Sequence, residues 1–167
     1  MQEGPHLLAP TGTNLSRHHR LGQPFAGYHY DLNFITIHGK SRYPGLFAWL
    51  RDGRKVPVAV PDGCLLLQAG KQLEWLTGGR IQAGYHEVVF TEATQRALEG
   101  AKVEGRSQVR VSSTVFSHVA SDRVLQPLGS PREQGPEVHQ YPPILAGDFV
   151  RKELEAISLK KGQKAAV

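Results

Sequence analysis

Short apolar runs separated by turn residues fill most of the chain between about Gly27 and Val119. Each run has the length of a strand, and most are rich in β-branched or aromatic residues, which favour pleated sheet. The runs are residues 34–37, 46–50, 56–60, 65–68, 87–90 and 109–116. Gly, Pro and Asp separate them, as expected of turns. The pattern predicts a mostly β domain of the sandwich or barrel class.

Turn motifs indicate how neighbouring runs are connected. Arg51-Asp52-Gly53-Arg54 contains the Asp-Gly pair that favours a tight hairpin, so runs 46–50 and 56–60 are predicted to be antiparallel neighbours. Pro61-Asp62-Gly63 predicts the next turn. Thr77-Gly78-Gly79 is expected to end a short helix over residues 71–76.

Two longer helices interrupt the strand pattern. Residues 92–102 place their apolar side chains on one face, with Thr91 as the expected N-cap and Gly105 beyond the end. Residues 148–158 repeat apolar positions at helical spacing, with Asp148 as the expected N-cap. Between the last strand and this helix, Pro127–Pro143 is predicted to be a surface loop.

Composition and charge narrow the class of protein. With 167 residues, of which 40% are hydrophobic and 21% charged, the chain is predicted to fold as one globular domain or as part of a larger one. The net charge of +5 comes mainly from basic residues near the two ends, at 17–20 and 160–164. Terminal charge blocks are typical of solvated tails, so we do not expect a nucleic-acid partner.

The chain carries no obvious membrane or secretion signal. It contains no apolar run long enough to span a bilayer, and Met1–Pro10 does not have a basic segment followed by an apolar one. Cys64 is the single cysteine, which excludes an internal disulfide and a thiolate zinc site, and its apolar neighbours predict a buried thiol. These features predict a cytoplasmic protein in which any metal is held by His and carboxylate.

Three residues form a candidate metal site. His29 and Asp31 have the spacing that points two side chains to the same face of a strand, and His86 could complete the set from a facing strand. Two His and one carboxylate leave one side of a ferrous ion open for other ligands, whereas zinc is disfavoured. By spacing alone, ordinary surface or core polar residues remain the alternative.

Arg110 and Ser112 form a candidate anion site on the last long strand. By the same period of two, both side chains face one side of the sheet. A guanidinium pairs bidentately with a carboxylate, and a neighbouring hydroxyl adds a donor. The alternative at this point is an arginine that faces solvent.

A series of motifs follows one order along residues 8–118. The motifs are His29-Tyr30-Asp31 with run 34–37, Gly45–Trp49, Val60–Leu65, Leu67–Arg80, Gly84–Val88 and Arg110-Val111-Ser112. In this order they resemble the isopenicillin-N-synthase-like group of iron and 2-oxoglutarate-dependent dioxygenases. The resemblance implies a double-stranded β-helix, or jelly-roll core, over residues 1–130. Residues 131–167 are then expected to form a surface loop, a C-terminal helix and a basic tail.

The resemblance also implies a chemistry. His29, Asp31 and His86 would ligate Fe(II), and Arg110 with Ser112 would bind the distal carboxylate of 2-oxoglutarate. With O₂, such enzymes hydroxylate or desaturate a small organic substrate and release succinate and CO₂. Two alternatives are a truncated, non-catalytic remnant and a related iron oxidase that does not use 2-oxoglutarate. The sequence does not indicate the substrate or the oligomeric state.

The chain departs from the family pattern in several places. Glu87 stands where the family commonly has Arg, and a helix is inserted between His86 and Arg110. Residues 8–14 contain no tyrosine for a family Asn-x-Tyr motif, so only Thr11, Thr13 or Asn14 could act there as weak substitutes. The long N-terminal region of the family is absent, which leads us to expect a fragment of a longer protein.

Overall fold

The computed structural model describes residues 3–129 and 138–164. The strands are β1 (Leu7–Asn14), β2 (Pro24–His29), β3 (Ile35–His38), β4 (Leu46–Trp49), β5 (Lys55–Pro57), β6 (Leu66–Ala69), β7 (His86–Val89), β8 (Val109–Ser117), β9 (Val124–Leu125) and β10 (Ile144–Leu145). The helices are α1 (Lys71–Leu76), α2 (Glu92–Val103) and α3 (Ala146–Lys164), with a 3-10 helix at Val138–Gln140.

Eight of these strands form two four-stranded antiparallel sheets. Sheet 1 has the order β1-β8-β3-β6 and sheet 2 the order β2-β7-β4-β5, while β9 and β10 pair separately. Strands adjacent in each sheet are mostly distant in the chain, as in a jelly roll, because consecutive strands cross between the sheets. The mostly β, jelly-roll prediction is confirmed.

The inner face of sheet 1 is more polar than its outer face. Along β8, Arg110 and Thr114 are buried, whereas Val109 and Val111 on the opposite face are exposed. A strand that packs on a dry core shows the reverse pattern. The inner face of β8 therefore lines a cavity that can accept polar ligands.

Two hydrophobic clusters close the sandwich at its two ends. One contains Leu98 and Ala101 of α2, which pack with Leu15, Tyr43 and Phe90. The inserted helix is therefore part of the core, and its predicted cap is confirmed, because the Thr91 hydroxyl accepts from the backbone N–H of Thr94.

The second cluster joins three parts of the chain. Phe149 and Ala146 of α3 pack with Leu125 of β9, and Trp75 and Leu76 of α1 pack against them. The Trp75 indole N–H also donates to the Pro142 carbonyl at 3.0 Å. The C-terminal helix is thus fixed to the sandwich at the end opposite α2.

Gly70 marks the point where sheet 1 meets α1. A Cβ at this position would lie 2.1 Å from the Asn33 carbonyl oxygen and 2.9 Å from Asn33 Oδ1. The Gly70 N–H donates to the Phe34 carbonyl, and the next N–H, of Lys71, donates to the Asp31 carbonyl. The missing side chain lets α1 begin directly against residues 31–34.

Most local predictions are confirmed and a few are wrong. All six predicted strands are present within a few residues, and β4 and β5 form the predicted hairpin. No sequence pattern predicted β1, or β2 as a strand before His29. Asp148 is not a cap, because α3 begins at Ala146, and Asp148 instead pairs with Arg151. Cys64 is exposed rather than buried.

The remaining predictions concern the C-terminal part of the chain. Residues 130–137 of the predicted loop and the last residues of the predicted basic tail, 165–167, lie outside the described residues. The division into 1–130 and 131–167 stays a prediction. No helix within the described ranges is both long and apolar enough to cross a membrane.

Candidate functional site

A cavity of about 530 Å³ lies between the two sheets. Sheet 1 lines it through β1, β8 and β3, and sheet 2 lines it through β2, β7 and β4. The polar and titratable residues on its wall are Thr11, Thr13, His29, Asp31, His38, Lys40, Ser41, Arg42, Tyr43, His86, Arg110, Ser112 and Thr114. All five site residues predicted from the sequence line this one cavity.

His29, Asp31 and His86 bring three ligand atoms together. Asp31 Oδ1 lies 3.6 Å from His29 Nε2 and 3.9 Å from His86 Nε2. One ligand atom from each residue lies within 4.8 Å of the other two. His86 and Asp31 are buried, and His29 is exposed towards the cavity side. Three such atoms are close enough to share one ion.

Backbone carbonyls orient both imidazoles. His29 Nδ1 lies 2.6 Å from the Gly27 carbonyl oxygen, and His86 Nδ1 lies 3.0 Å from that of Gly84. Because a carbonyl oxygen only accepts, Nδ1 of His29 carries the ring proton and its Nε2 keeps a free lone pair. His86 Nδ1 faces both the Gly84 carbonyl oxygen, which is an acceptor, and the Gln68 amide nitrogen, which is a donor, so these contacts fix the orientation of the ring and not the position of its proton. The Nε2 atom of each ring faces Asp31, which is the side from which a metal ligand binds through Nε2.

Asp31 is held by donors on its other oxygen. Asp31 Oδ2 accepts from the Thr36 hydroxyl at 2.6 Å and from Gln68 Nε2 at 3.0 Å. Gln68 Nε2 also lies 2.9 Å from His86 Nδ1, so this amide contacts two of the three residues. With Oδ2 occupied in this way, Oδ1 is left to face the two imidazoles. Neighbours of this kind fix the direction of metal ligands.

The strands that carry these three residues differ from the arrangement predicted from the sequence. His29 and Asp31 do not share a strand, because β2 ends at His29 and Asp31 follows it. His86 is not on a facing strand either, since it stands directly opposite His29 on the neighbouring strand β7. The three residues still converge, because Thr36 of β3 and Gln68 of β6, both in sheet 1, hold the Asp31 carboxylate beside the two imidazoles of sheet 2.

Arg110 brings a buried positive charge into the same cavity. Its side chain is 8% exposed, and its Nε has no hydrogen-bond partner among the described residues. Burial lowers the pKa of the guanidinium from its ordinary value, yet an arginine stays cationic in a protein. A buried, unpaired guanidinium is costly unless a ligand supplies the negative charge. Arg110 therefore faces the interior of the sandwich, which excludes the alternative of an arginine that faces solvent.

Residues with hydroxyl groups are the neighbours of Arg110 and Ser112 on the adjacent strand. In the pairing of β1 with β8, Thr13 stands opposite Arg110 and Thr11 stands opposite Ser112. Both threonines line the cavity, whereas the Asn14 side chain is engaged with Ser16. Of the three residues named as weak substitutes for the family tyrosine, Thr11 and Thr13 therefore line the cavity and Asn14 does not.

Burial favours neutral imidazoles in the cavity. It lowers the pKa of His86 and the pKa of His38, more than the nearby Asp31 carboxylate raises either. His38 was not among the predicted site residues, nor was Gln68. The one indication for His38 in the sequence is its position two residues after Thr36, which puts both side chains on the same face of β3. No motif next to His38 predicted a role in the site.

Solved structures share this fold. The chain superposes on a 2OG-Fe(II) oxygenase family protein from Caulobacter crescentus with a TM-score of 0.69 and 26% identity, over 93% of this chain and 47% of that one. A rice dioxygenase for auxin oxidation gives a TM-score of 0.72 at 20% identity, over 93% and 48% of the two chains. A full-length Neurospora crassa protein in complex with alpha-KG gives 0.67 at 18% identity, over 91% and 45%.

The matches cover most of this chain but only part of the matched proteins. The chain spans about half the length of the solved structures that it matches. No curated protein matches it in sequence. The family model of the 2OG-Fe(II) oxygenase superfamily matches residues 13–119, which is more than half of the chain and includes all five candidate site residues. The chain belongs to the 2OG-Fe(II) oxygenase superfamily.

Proposed function

We propose that this chain is an Fe(II)- and 2-oxoglutarate-dependent dioxygenase that hydroxylates or desaturates a small organic substrate. The observation that carries the proposal is the group formed by His29, Asp31 and His86, with its ligand atoms within 4.8 Å of one another. Two imidazoles and one carboxylate suit ferrous iron and leave positions for other ligands. The carbonyl contacts of the two Nδ1 atoms support a metal role, because they turn both Nε2 atoms towards Asp31.

Arg110 and Ser112 are proposed to hold the distal carboxylate of 2-oxoglutarate. The unpartnered Nε of Arg110 supports this role, since a carboxylate would supply both the charge and the hydrogen bond that the buried group lacks. Ser112 faces the same cavity two residues along β8, and its hydroxyl lies 3.4 Å from that of Thr114. The donors present therefore fit the cosubstrate that the family uses.

The proposed reaction uses the metal site and the 2-oxoglutarate site together. When bound, iron and 2-oxoglutarate allow O₂ to oxidise the substrate, with 2-oxoglutarate converted to succinate and CO₂. The protein's part is to orient the imidazoles through Gly27 and Gly84, to hold the Asp31 carboxylate through Thr36 and Gln68, and to place the cosubstrate through Arg110. The single cysteine, which cannot form an internal disulfide, supports a cytoplasmic location as part of this proposal.

The test is an anaerobic titration of the purified chain with Fe(II) and then 2-oxoglutarate. We expect the visible charge-transfer band of a metal-chelated 2-oxo acid, and its loss in His86→Ala. His19→Ala, which changes an exposed histidine outside the cavity, is the matched control and should retain the band.

The outcomes separate the alternatives. Iron binding without the band, together with O₂ consumption that needs no 2-oxoglutarate, would support the related iron oxidase. Absence of iron binding by a folded chain would support the non-catalytic remnant. Either result would contradict the proposed function.

A further inference from the structure

We propose that His38, Ser41 and Arg42 form a second anion subsite in the cavity, and that the substrate is a carboxylic acid bound there through its carboxylate. These residues belong to the segment 38–42, which runs from the end of β3 towards β4. The inference rests on the proposed function, because it concerns a ligand that binds beside iron and 2-oxoglutarate.

Three polar groups of this segment lack partners within the described part of the chain. His38 Nε2 and Ser41 Oγ are buried without a hydrogen bond, and the Arg42 guanidinium makes neither a hydrogen bond nor an ion pair there. All three residues line the cavity. A buried donor without a partner costs free energy, and native structures rarely leave several in one place. Their grouping on one wall indicates a ligand that accepts hydrogen bonds.

The charged residues on the cavity wall indicate the charge of that ligand. Its wall carries three cations, Lys40, Arg42 and Arg110, and one carboxylate, Asp31. A ferrous ion and the two carboxylates of 2-oxoglutarate cancel each other, and the charge of Asp31 cancels that of Arg110. Lys40 is paired outside the wall, because its Nζ lies 2.5 Å from Asp62 Oδ1. Arg42 is left as one uncompensated positive charge, which favours a monoanionic substrate.

The segment begins beside the cosubstrate subsite and then leaves it. His38 Nδ1 lies 3.4 Å from Thr114 Oγ1, which in turn lies 3.4 Å from Ser112 Oγ. His38 pairs with Thr114 of β8, and the Gly39 N–H donates to the Ser113 carbonyl. The segment therefore leaves sheet 1 at this level and crosses towards sheet 2, while Arg110 and Ser112 stay on β8. Once the cosubstrate occupies Arg110, Arg42 is the arginine still able to pair with a second carboxylate.

An exposed arginine by itself is ordinary, since surface cations are usually solvated and contribute little. Arg42 differs because it lies on a cavity wall next to Ser41, whose hydroxyl is buried and unpartnered. Arg17 is also exposed and makes no described ion pair, but it does not line the cavity. It provides a control with the same change in charge.

The experiment uses the chain loaded with Mn(II) and 2-oxoglutarate in the absence of O₂. Benzoate, 3-phenylpropanoate and hexanoate, each with its primary amide, are titrated by calorimetry. We expect the acid of at least one pair to bind more tightly than its amide. Arg42→Gln should reduce acid binding about tenfold or more, the loss expected for one charged hydrogen bond, without changing amide binding. Arg17→Gln should change neither.

A second variant and a second ligand complete the design. Ser41→Ala keeps the charge and should weaken acid binding less than Arg42→Gln. The affinity for 2-oxoglutarate should stay within about twofold in both variants. A tenfold loss of 2-oxoglutarate affinity in Arg42→Gln would assign the segment to the cosubstrate and overturn the inference.

Failure of the proposed function is measured separately. If the wild-type chain binds Mn(II) and 2-oxoglutarate but does not prefer any acid over its amide, the second subsite is refuted and the proposed function stands. If the wild-type chain binds neither Mn(II) nor 2-oxoglutarate, the proposed function is refuted first, and this inference is refuted with it.

Discussion

His29 and His86 stand directly opposite each other on β2 and β7, with their ring centroids 4.2 Å apart. Strand pairing alone therefore brings two of the three candidate ligands together. A slip of one residue in this register would turn one imidazole to the outer face of sheet 2. The third ligand, Asp31, depends on hydrogen bonds rather than on pairing, which makes its neighbours the sensitive part of the site.

Gln68→Leu should weaken metal binding without unfolding the chain. The amide donates to Asp31 Oδ2 and contacts His86 Nδ1, so its loss frees both side chains to rotate. Loss of such a neighbour typically reduces metal affinity 10- to 100-fold. Calorimetry with Mn(II) measures the change. Gln95→Leu, on the exposed face of α2, is the matched control, and an equal affinity in Gln68→Leu would contradict this role.

Arg110→Met should abolish 2-oxoglutarate binding and leave Mn(II) binding nearly unchanged. The guanidinium is buried in the cavity but is not a metal ligand, so the two affinities are expected to separate. Arg110→Lys keeps the charge and loses the bidentate fork, so an intermediate affinity is expected. Equilibrium dialysis with 2-oxoglutarate measures the three affinities, which should decrease from wild type to Arg110→Lys to Arg110→Met. Equal affinity in Arg110→Met and wild type would refute the role.

The metal-free chain should lose stability as the pH falls below about 6.5. Burial lowers the pKa values of His38, His86 and His118 in the folded state, whereas unfolded histidines titrate near 6.5. Below that pH the unfolded chain binds more protons, so the free energy of unfolding decreases until the folded pKa values are reached. Urea denaturation between pH 7.5 and 5 measures the slope.

His118→Gln should make this slope shallower, because it removes one of the three imidazoles whose pKa burial lowers. His19→Gln changes an exposed histidine and serves as the control. A slope that is the same in His118→Gln as in the wild type would show that His118 does not contribute.

Leu98→Ala should destabilise the chain by about 2–5 kcal/mol, the usual cost of emptying a buried leucine site. Leu98 is 3% exposed and belongs to the cluster that closes one end of the sandwich. Val103, at the end of the same helix, is 89% exposed, so Val103→Ala should have little effect. Thermal unfolding compares the two. Similar small effects would mean that α2 is dispensable for the core.

Gly70→Ala should disturb both the start of α1 and the metal site. The added Cβ would meet the Asn33 carbonyl oxygen at 2.1 Å, so residues 31–34 must move and Asp31 with them. Gly100→Ala in α2 is the control, because a Cβ there meets nothing within 4 Å and alanine favours a helix. We expect lower stability and weaker Mn(II) binding for Gly70→Ala only. Unchanged Mn(II) affinity in a folded Gly70→Ala chain would contradict the coupling.

Local patterns predicted most strands but could not predict their partners. The six apolar runs have strand length and four of them carry β-branched residues, so the strands were predicted directly, and so was α2. β1 contains Pro10 and Gly12 and is largely exposed, so it has no pattern of its own and is a strand because it pairs with β8. Asp148 resembled a cap, but packing of Ala146 into the core lets α3 begin earlier.

The candidate site was predictable where spacing and motif coincide. His29, Asp31, His86, Arg110 and Ser112 were all identified, and all five line the cavity. The geometry of these residues could not be predicted as well, because it depends on contacts between residues that are far apart in the chain. Gln68 reaches Asp31 from another strand, and segment 38–42 meets the cavity only after sheets 1 and 2 have formed.

The distribution of these residues over the sandwich has a mechanical consequence. His29 and His86 stand on sheet 2, whereas Arg110 and Ser112 stand on sheet 1. A ligand that contacts the metal and Arg110 together would connect the two sheets directly, in addition to the hydrophobic clusters and the Gln68–His86 contact that already join them. Because such a ligand binds only the folded chain, its binding raises the free energy of unfolding. In the proposed complex, metal and 2-oxoglutarate together would therefore connect the two sheets more firmly than either would alone.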